Sequence, residues 1–300
     1  LPPHILDSTM DFTIEGDNIR YGLLSIKGIS EKSIERIDEF KNEYSNKFDI
    51  FQAAEDAKVN LGVLCALLQA GSLDGYYSQS RSKMVYEAQI WNILTVREKK
   101  WVYKFAEQYD YDLIKIIKKL INFQDEKGKP VIKESRVATM RKKGDSYKEI
   151  YMLNSKAEDF ASWYYETFLL GYSYTTNLRN VFRRDGASRL TSIHESISNE
   201  NDMRVTVAGV VEQSISRISK NKNKYLKLVL SDETGKIESM LFSKKLDSCV
   251  AANTRLPKAG DIVIVKGLKK HGDTPVIWAD VIGIQSLKVY TKLSQLKKKS

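Results

Sequence analysis

The sequence predicts an α+β chain of more than one domain: a mainly helical region followed by a five-stranded β-barrel. Three observations lead there. Apolar residues recur at helical spacing, between capping residues and glycine stops, and switch to strict alternation from about Met203. A length of 300 residues suits about two domains of roughly 100–200 residues each. A composition of 42% hydrophobic and 29% charged residues supports packed cores and excludes disordered and collagen-like classes.

The elements follow in order. Asp11–Glu15 and Asn18–Leu23 read as two short strands about a Gly16-Asp17 turn. Residues 30–40 place Ile34, Ile37 and Phe40 on one helical face behind Ser30, a capping residue. Residues 60–70 form a largely buried helix that stops at Gly71. A long helical stretch over 79–121 follows, with Trp91, Leu94, Trp101 and Phe105 as core. Residues 122–150 are polar and basic, with Gly128, Pro130 and Gly144 as breakers, and read as a loop or weakly ordered insertion. Ser155-Lys156-Ala157-Glu158 is a capping-box pattern opening a helix that ends at Gly171. Within it Phe160, Trp163, Tyr164 and Phe168 read as a packing stripe. Beyond Met203, the alternating sets are Val205 to Val211, Leu226 to Leu230, Ile237 to Leu241, Ile262 with Ile264, and Val276 to Ile284. Turns fall at 220–223, 233–235 and 271–273, and a short helix over 244–250 separates the third and fourth strands. That layout is the one an OB-fold barrel uses. Boundaries are therefore drawn at 1–78, 79–195, 196–290 and a basic tail, 291–300.

Charge is distributed unevenly. Residues 1–200 hold 29 Lys and Arg against 29 Asp and Glu, whereas residues 201–300 hold 19 against 9. An excess confined to one module points to a polyanionic partner, and the Lys297–Lys299 tail accounts for only three of those charges. Two distant cysteines in apolar settings, Cys65 and Cys249, fit small core residues in a reducing compartment. No run approaches the roughly 18–20 apolar residues of a membrane span. A start at Leu1-Pro2-Pro3-His4 reads as a piece cut from something longer.

Two turns and one hairpin carry the candidate chemistry. Ile26-Lys27-Gly28-Ile29-Ser30 fits a helix-hairpin-helix turn, hydrophobic-x-Gly-hydrophobic-Gly, with Ser30 in place of the second glycine. Such a turn aims successive backbone N–H groups and a helix dipole at a phosphate oxygen, and Lys27 and Lys32 add charge. An ordinary loop-to-helix turn is the alternative. Gly71-Ser72 is a second candidate, for which a glycine helix stop is the competing account. In the barrel, Arg217, Lys220, Lys222, Lys224 and Lys227 surround Tyr225, and Lys269 and Lys270 extend that surface from the last turn. Cations interleaved with an aromatic suit a single strand, where charge neutralises phosphates and a base stacks on the ring. A solvated lysine-rich hairpin is the alternative. No catalytic or metal site emerges: Asp110-Tyr111-Asp112 reads as cap and first-turn acids. Three scattered histidines give no triad, and neither a zinc site nor a phosphate-binding loop is present.

The order of pieces resembles a known family. Leu1-Pro2-Pro3-His4-Ile5, Phe12-Thr13-Ile14-Glu15 and Ile19 through Glu31, then Asn60 through Asp74, Tyr165 through Tyr172, and the barrel from Val207 to Phe242 together resemble the C-terminal region of C-family bacterial replicative DNA polymerases, the DNA polymerase III alpha subunits. The likeness covers both ends well and residues 95–150 poorly. It implies a non-catalytic part of a DNA-directed DNA polymerase: 1–78 as the end of the fingers with a helix-hairpin-helix region on duplex product, and 196–290 as an OB barrel on single-stranded template. Catalysis and its Mg2+ belong to the parent's palm, upstream of Leu1, and this stretch calls for no cofactor. Double- and single-stranded DNA are the implied partners, in a bacterial or infected-host cytoplasm and without a membrane. Ser30, Thr175-Thr176 in place of the family's His-Pro, and the 122–150 segment mark a divergent member, phage or bacterial. Gln89 through Leu94 has a clamp-binding composition but falls within a helix. The rival readings are a free-standing OB protein for single-stranded DNA or tRNA, and a docking platform for sliding clamp or clamp-loader subunits.

Overall fold

Several helices begin where a side chain takes up a free N–H group of the first turn. The computed structural model describes residues 1–183, 190–271 and 274–291. After a two-stranded ribbon, β1 (Thr13–Glu15) and β2 (Asn18–Arg20), come α1 (Glu31–Phe40), α2 (Lys47–Asp56), α3 (Leu61–Gln69), α4 (Arg81–Trp91), α5 (Val96–Lys104), α6 (Leu113–Ile121), α7 (Glu134–Asn154) and α8 (Glu158–Leu170). Asn46, Asn60, Ser80, Thr95 and Asp112 each accept a backbone N–H at the helix they precede, and Thr95 completes a capping box with Glu98. Asp112 is thus the cap that its position suggests. Buried Ile34, Ile37 and Phe40 anchor α1 as their spacing requires.

The structure departs from the sequence pattern in three places. The 79–121 stretch is three helices, because the chain breaks at the Thr95 cap and again at Asp110 and Tyr111, which both adopt positive φ. Residues 134–150 are not a loop but most of the 21-residue helix α7. Gly144 is no breaker there: a Cβ at that position would lie 2.9 Å from Ile90 Cδ1, so the glycine lets α7 press against α4. Ser155 does not open a helix. α7 runs through a single 3-10 turn into α8, and the Glu158 carboxylate accepts the Ser82 N–H of α4 at 3.1 Å.

The described residues form two compact units, residues 1–174 with 288–291, and residues between Thr175 and Leu287. In the second, α9 (Leu178–Val181) and α10 (Ile193–Ser198) precede five strands: β3 (Arg204–Ile218), β4 (Lys224–Asp232), β5 (Gly235–Phe242), β6 (Ile262–His271) and β7 (Pro275–Ile284), with α11 (Ser243–Asn253) after β5. They close in the order β3-β4-β5-β7-β6, antiparallel except for β5 with β7. Ile193 is wholly buried in the barrel core and its N–H donates to Asp232 Oδ2 at 2.8 Å, so α10 packs with the barrel. One phase differs from expectation. In β6 the inward residues are Val263 and Val265, not Ile262 and Ile264, and the same phase turns Lys269 inward. The turn residues Gly272 and Asp273 and the tail from residue 292 lie outside the described residues.

Candidate nucleic-acid interface

The turn before α1 is built on a buried foot. Ile26 and Ile29 are buried, while Lys27, Gly28, Ser30 and Lys32 are exposed. Gly28 adopts φ +96°, a region that suits glycine. The Ile29 N–H donates to Ile26 O at 3.1 Å and the Lys27 N–H to Leu169 O at 3.1 Å, which seats the turn against the end of α8. Ser30 makes no side-chain cap, its hydroxyl lying 3.2 Å from that of Ser33. Among the described residues, the N–H groups of Gly28, Ser30, Glu31 and Lys32 have no acceptor. They project at the positive end of a ten-residue helix, the arrangement that holds a phosphate oxygen. Lys27 sits over the ring of exposed Phe168 at 5.0 Å, and Phe168 in turn stacks on Tyr164. Phe168 therefore leaves the expected packing stripe, of which Phe160 and Trp163 are buried.

Gly71 and Ser72 are not a second phosphate grip. Gly71 (φ +76°) ends α3, with its N–H on Leu68 O at 3.2 Å and the Ser72 N–H on Leu67 O at 3.0 Å, so both donors are spent on the helix end. Ser72 is wholly buried. A Cβ on Gly71 would fall 2.1 Å from the Tyr174 hydroxyl and 2.2 Å from an Arg81 nitrogen. That closeness reflects a buried network. Arg81 binds Asp74 and the fully buried Glu166, each at 2.5 Å, and Glu166 also accepts from Ser173 at 2.7 Å and from the Tyr174 N–H at 2.8 Å. Burial opposes the Arg81 charge, but Asp74 and Glu166 outweigh it and hold the guanidinium protonated.

On the barrel, strand register assembles a surface from residues far apart in sequence. Arg217 faces Tyr225 across β3 and β4, and Tyr225 faces Phe242 across β4 and β5. A second row on the same outer face runs Lys227, Met240, Trp278 and Leu268. The Tyr225 and Phe242 ring centres are 6.1 Å apart, and Phe242 meets Trp278 edge-on at 5.5 Å. Phe242 and Trp278 remain 40% and 45% exposed, enough ring for a base to cover. Sequence reasoning missed both, because neither stands in a basic run and only the β5–β7 pairing brings Trp278 alongside. Arg217, Lys220, Lys222 and Lys224 are exposed cations without an ion-pair partner among the described residues. Lys227 is paired with Glu238 at 2.5 Å. Lys270 pairs with Asp202 and lies over the Trp278 ring at 5.2 Å. Lys269 is withdrawn from this surface: its side chain is 4% exposed and its ammonium donates to Asn199 O.

Both regions have matches among known proteins. A family described as "Helix-hairpin-helix motif" matches residues 1–84, and one described as "OB-fold nucleic acid binding domain" matches residues 205–277. Over 278 residues the chain is 24% identical to the DNA polymerase III subunit alpha of Saccharopolyspora erythraea, covering 87% of this chain and 21% of that protein. The chain is a homologue of DNA polymerase III subunit alpha. The alpha subunit of Escherichia coli K12 is 25% identical over 279 residues, covering 91% of this chain and 21% of its own length. That of Aquifex aeolicus reaches 40% over 78 residues, 25% of this chain and 7% of that protein. The homologue thus spans about one fifth of the length of its curated alpha-subunit relatives, their helix-hairpin-helix and OB region. Among solved structures, a domain of replication protein A from Methanococcus maripaludis aligns with a TM-score of 0.25 and 27% identity, covering 31% of this chain and 92% of that one. In this alpha-subunit homologue Ile90, Trp91 and Leu94 are buried, which removes the Gln89–Leu94 stretch as an exposed peptide. Both cysteines are free: Cys249 lies in the barrel core, and burial pushes the Cys65 thiol up to about 12. No helix among the described residues is long and apolar enough to cross a membrane.

Proposed function

We propose that this chain is the DNA-holding portion of a DNA polymerase III alpha subunit acting in the cytoplasm. In this reading the turn before α1 grips the backbone of duplex product and the barrel face carries single-stranded template. The observation that carries it is the pair of cross-strand rows, in which three aromatic rings lie among cations on one face of the barrel. Rings accept bases of any sequence, and free cations neutralise the phosphates between them. The uncapped N–H groups of Gly28, Ser30, Glu31 and Lys32 support the duplex role, because backbone donors read no base. Template-directed nucleotidyl transfer then belongs to residues outside these 300.

Fluorescence anisotropy of the whole chain with single-stranded and duplex DNA tests the division. Joint Phe242→Ala and Trp278→Ala substitution is expected to weaken single-strand binding and spare duplex binding. Joint Lys27→Ala and Lys32→Ala substitution is expected to do the reverse. Equal losses on both DNAs from either pair would overturn the assignment of strands to surfaces.

A further inference from the structure

The even charge balance of the first 200 residues conceals a second cationic surface. Residues 115–148 hold eleven Lys and Arg against four Asp and Glu, whereas residues 1–114 hold thirteen against eighteen. Of those eleven, Arg136 alone has an ion-pair partner among the described residues, Glu98 at 3.0 Å. The other ten are all exposed. We infer that the outward faces of α6 and α7, with the segment between them, form a further contact for the phosphodiester backbone of duplex DNA, separate from the turn before α1.

The fold fixes this surface firmly. Buried Leu113, Ile116, Ile117 and Leu120 seat α6, which leaves Lys115, Lys118 and Lys119 outward. α7 is held on α4 by the close approach of Gly144 to Ile90 and by the Tyr86–Tyr151 stack, with ring centres 5.1 Å apart. Lys118 and Arg141 border one groove between the two helices, with Asp145 as the acidic residue in its lining. The crowding brings no gain in folding, since like charges one helical turn apart repel. The helix dipole accounts for Lys118 and Lys119 at the end of α6, but not for Arg141, Lys142 and Lys143 in the middle of α7. Along α7, charges from Lys133 to Lys148 span roughly 22 Å, a length suited to an extended polyanion rather than to one phosphate group. The α7 residues Tyr147 and Tyr151 also line a cavity of about 500 Å³ with Lys27 and Gly28, which places the helix beside the turn before α1.

The inference rests on the reading that the chain holds nucleic acid, and the test keeps the two apart. The whole chain is titrated with a blunt DNA duplex between about 50 and 200 mM salt. Joint Arg141→Ala, Lys142→Ala and Lys143→Ala substitution is expected to flatten the slope of log affinity against log salt by roughly 0.9 for each phosphate no longer neutralised, about 2–3 in all. A Lys142→Arg, Lys143→Arg chain is expected to keep the parent slope. A triple variant with parent slope and affinity, beside a Lys27→Ala, Lys32→Ala chain that loses duplex binding, overturns the α6–α7 contact and leaves the turn standing. Loss in the triple variant alone supports the contact and overturns the turn. Competition by polyglutamate as strong as by DNA of equal charge overturns it in favour of an acidic protein partner. A parent that binds no DNA overturns both readings.

Discussion

Phe242 and Trp278 show how much of a binding face depends on residues with no local signature. Tyr225 was legible because it sits among lysines on an alternating strand, so its face follows from Leu226 and Leu228 being inward. Phe242 and Trp278 acquire their place only through pairing with β4 and β5, the latter by a parallel closure that no local motif announces. Lys269 was misread for a related reason. In a strand as apolar as Ile262–Val265 either phase looks inward, and choosing the wrong one exchanges the two faces. The stacking role predicts that Tyr225→Ala or Trp278→Ala each weakens single-strand binding by about 1–3 kcal/mol while leaving the salt slope unchanged. Anisotropy over a salt series checks it. An affinity equal to that of the parent for both variants would remove the rings from the interface.

At the scale of elements, glycine stops made the ends of α3 and α8 readable, whereas the caps at Asn46 and Thr95 went unread, so α2 was missed and the 79–121 stretch ran together. α7 escaped because its polar composition and Gly144 resemble a loop, and the reason for the glycine lies on another helix. The buried Arg81–Glu166 contact is equally non-local, joining the start of α4 to α8. Removing one member of a buried ion pair strands the other, so Arg81→Ala is expected to cost about 3–5 kcal/mol in urea denaturation. Gly71→Ala should also destabilise, since it forces a side chain into positive φ and against the same guanidinium. Full retention of the parent midpoint by either variant would show that the network relaxes at no cost.

For the whole molecule, the sequence made the two-part plan and the closed barrel legible but hid the charge pattern, because a balance taken over 200 residues averages a basic segment with acidic neighbours. Stability should also carry a pH signature. Burial raises the Glu98 carboxyl, but hydrogen bonds from Arg136 and from the Thr95 backbone outweigh it and hold the pKa below its ordinary 4.5. Protonation therefore favours the unfolded chain. The stabilisation is complete above about pH 4.5 and is lost as pH falls through the lowered value. The stability difference between the parent and Arg136→Ala is thus expected to be full at neutral pH and to shrink in acid, as urea midpoints at several pH values can check. An unchanging difference would rule out the carboxylate as its source. Finally, the grip of the turn before α1 on Leu169 and of Arg81 on Glu166 sets a schedule for synthesis. Arg81 leaves the ribosome 85 positions ahead of its carboxylate. At about 5–20 residues per second, the nascent helices wait on the order of ten seconds for α8. A stop codon placed between them would release a fragment in which Arg81 keeps Asp74 but lacks Glu166, the carboxylate that ties α4 to α8.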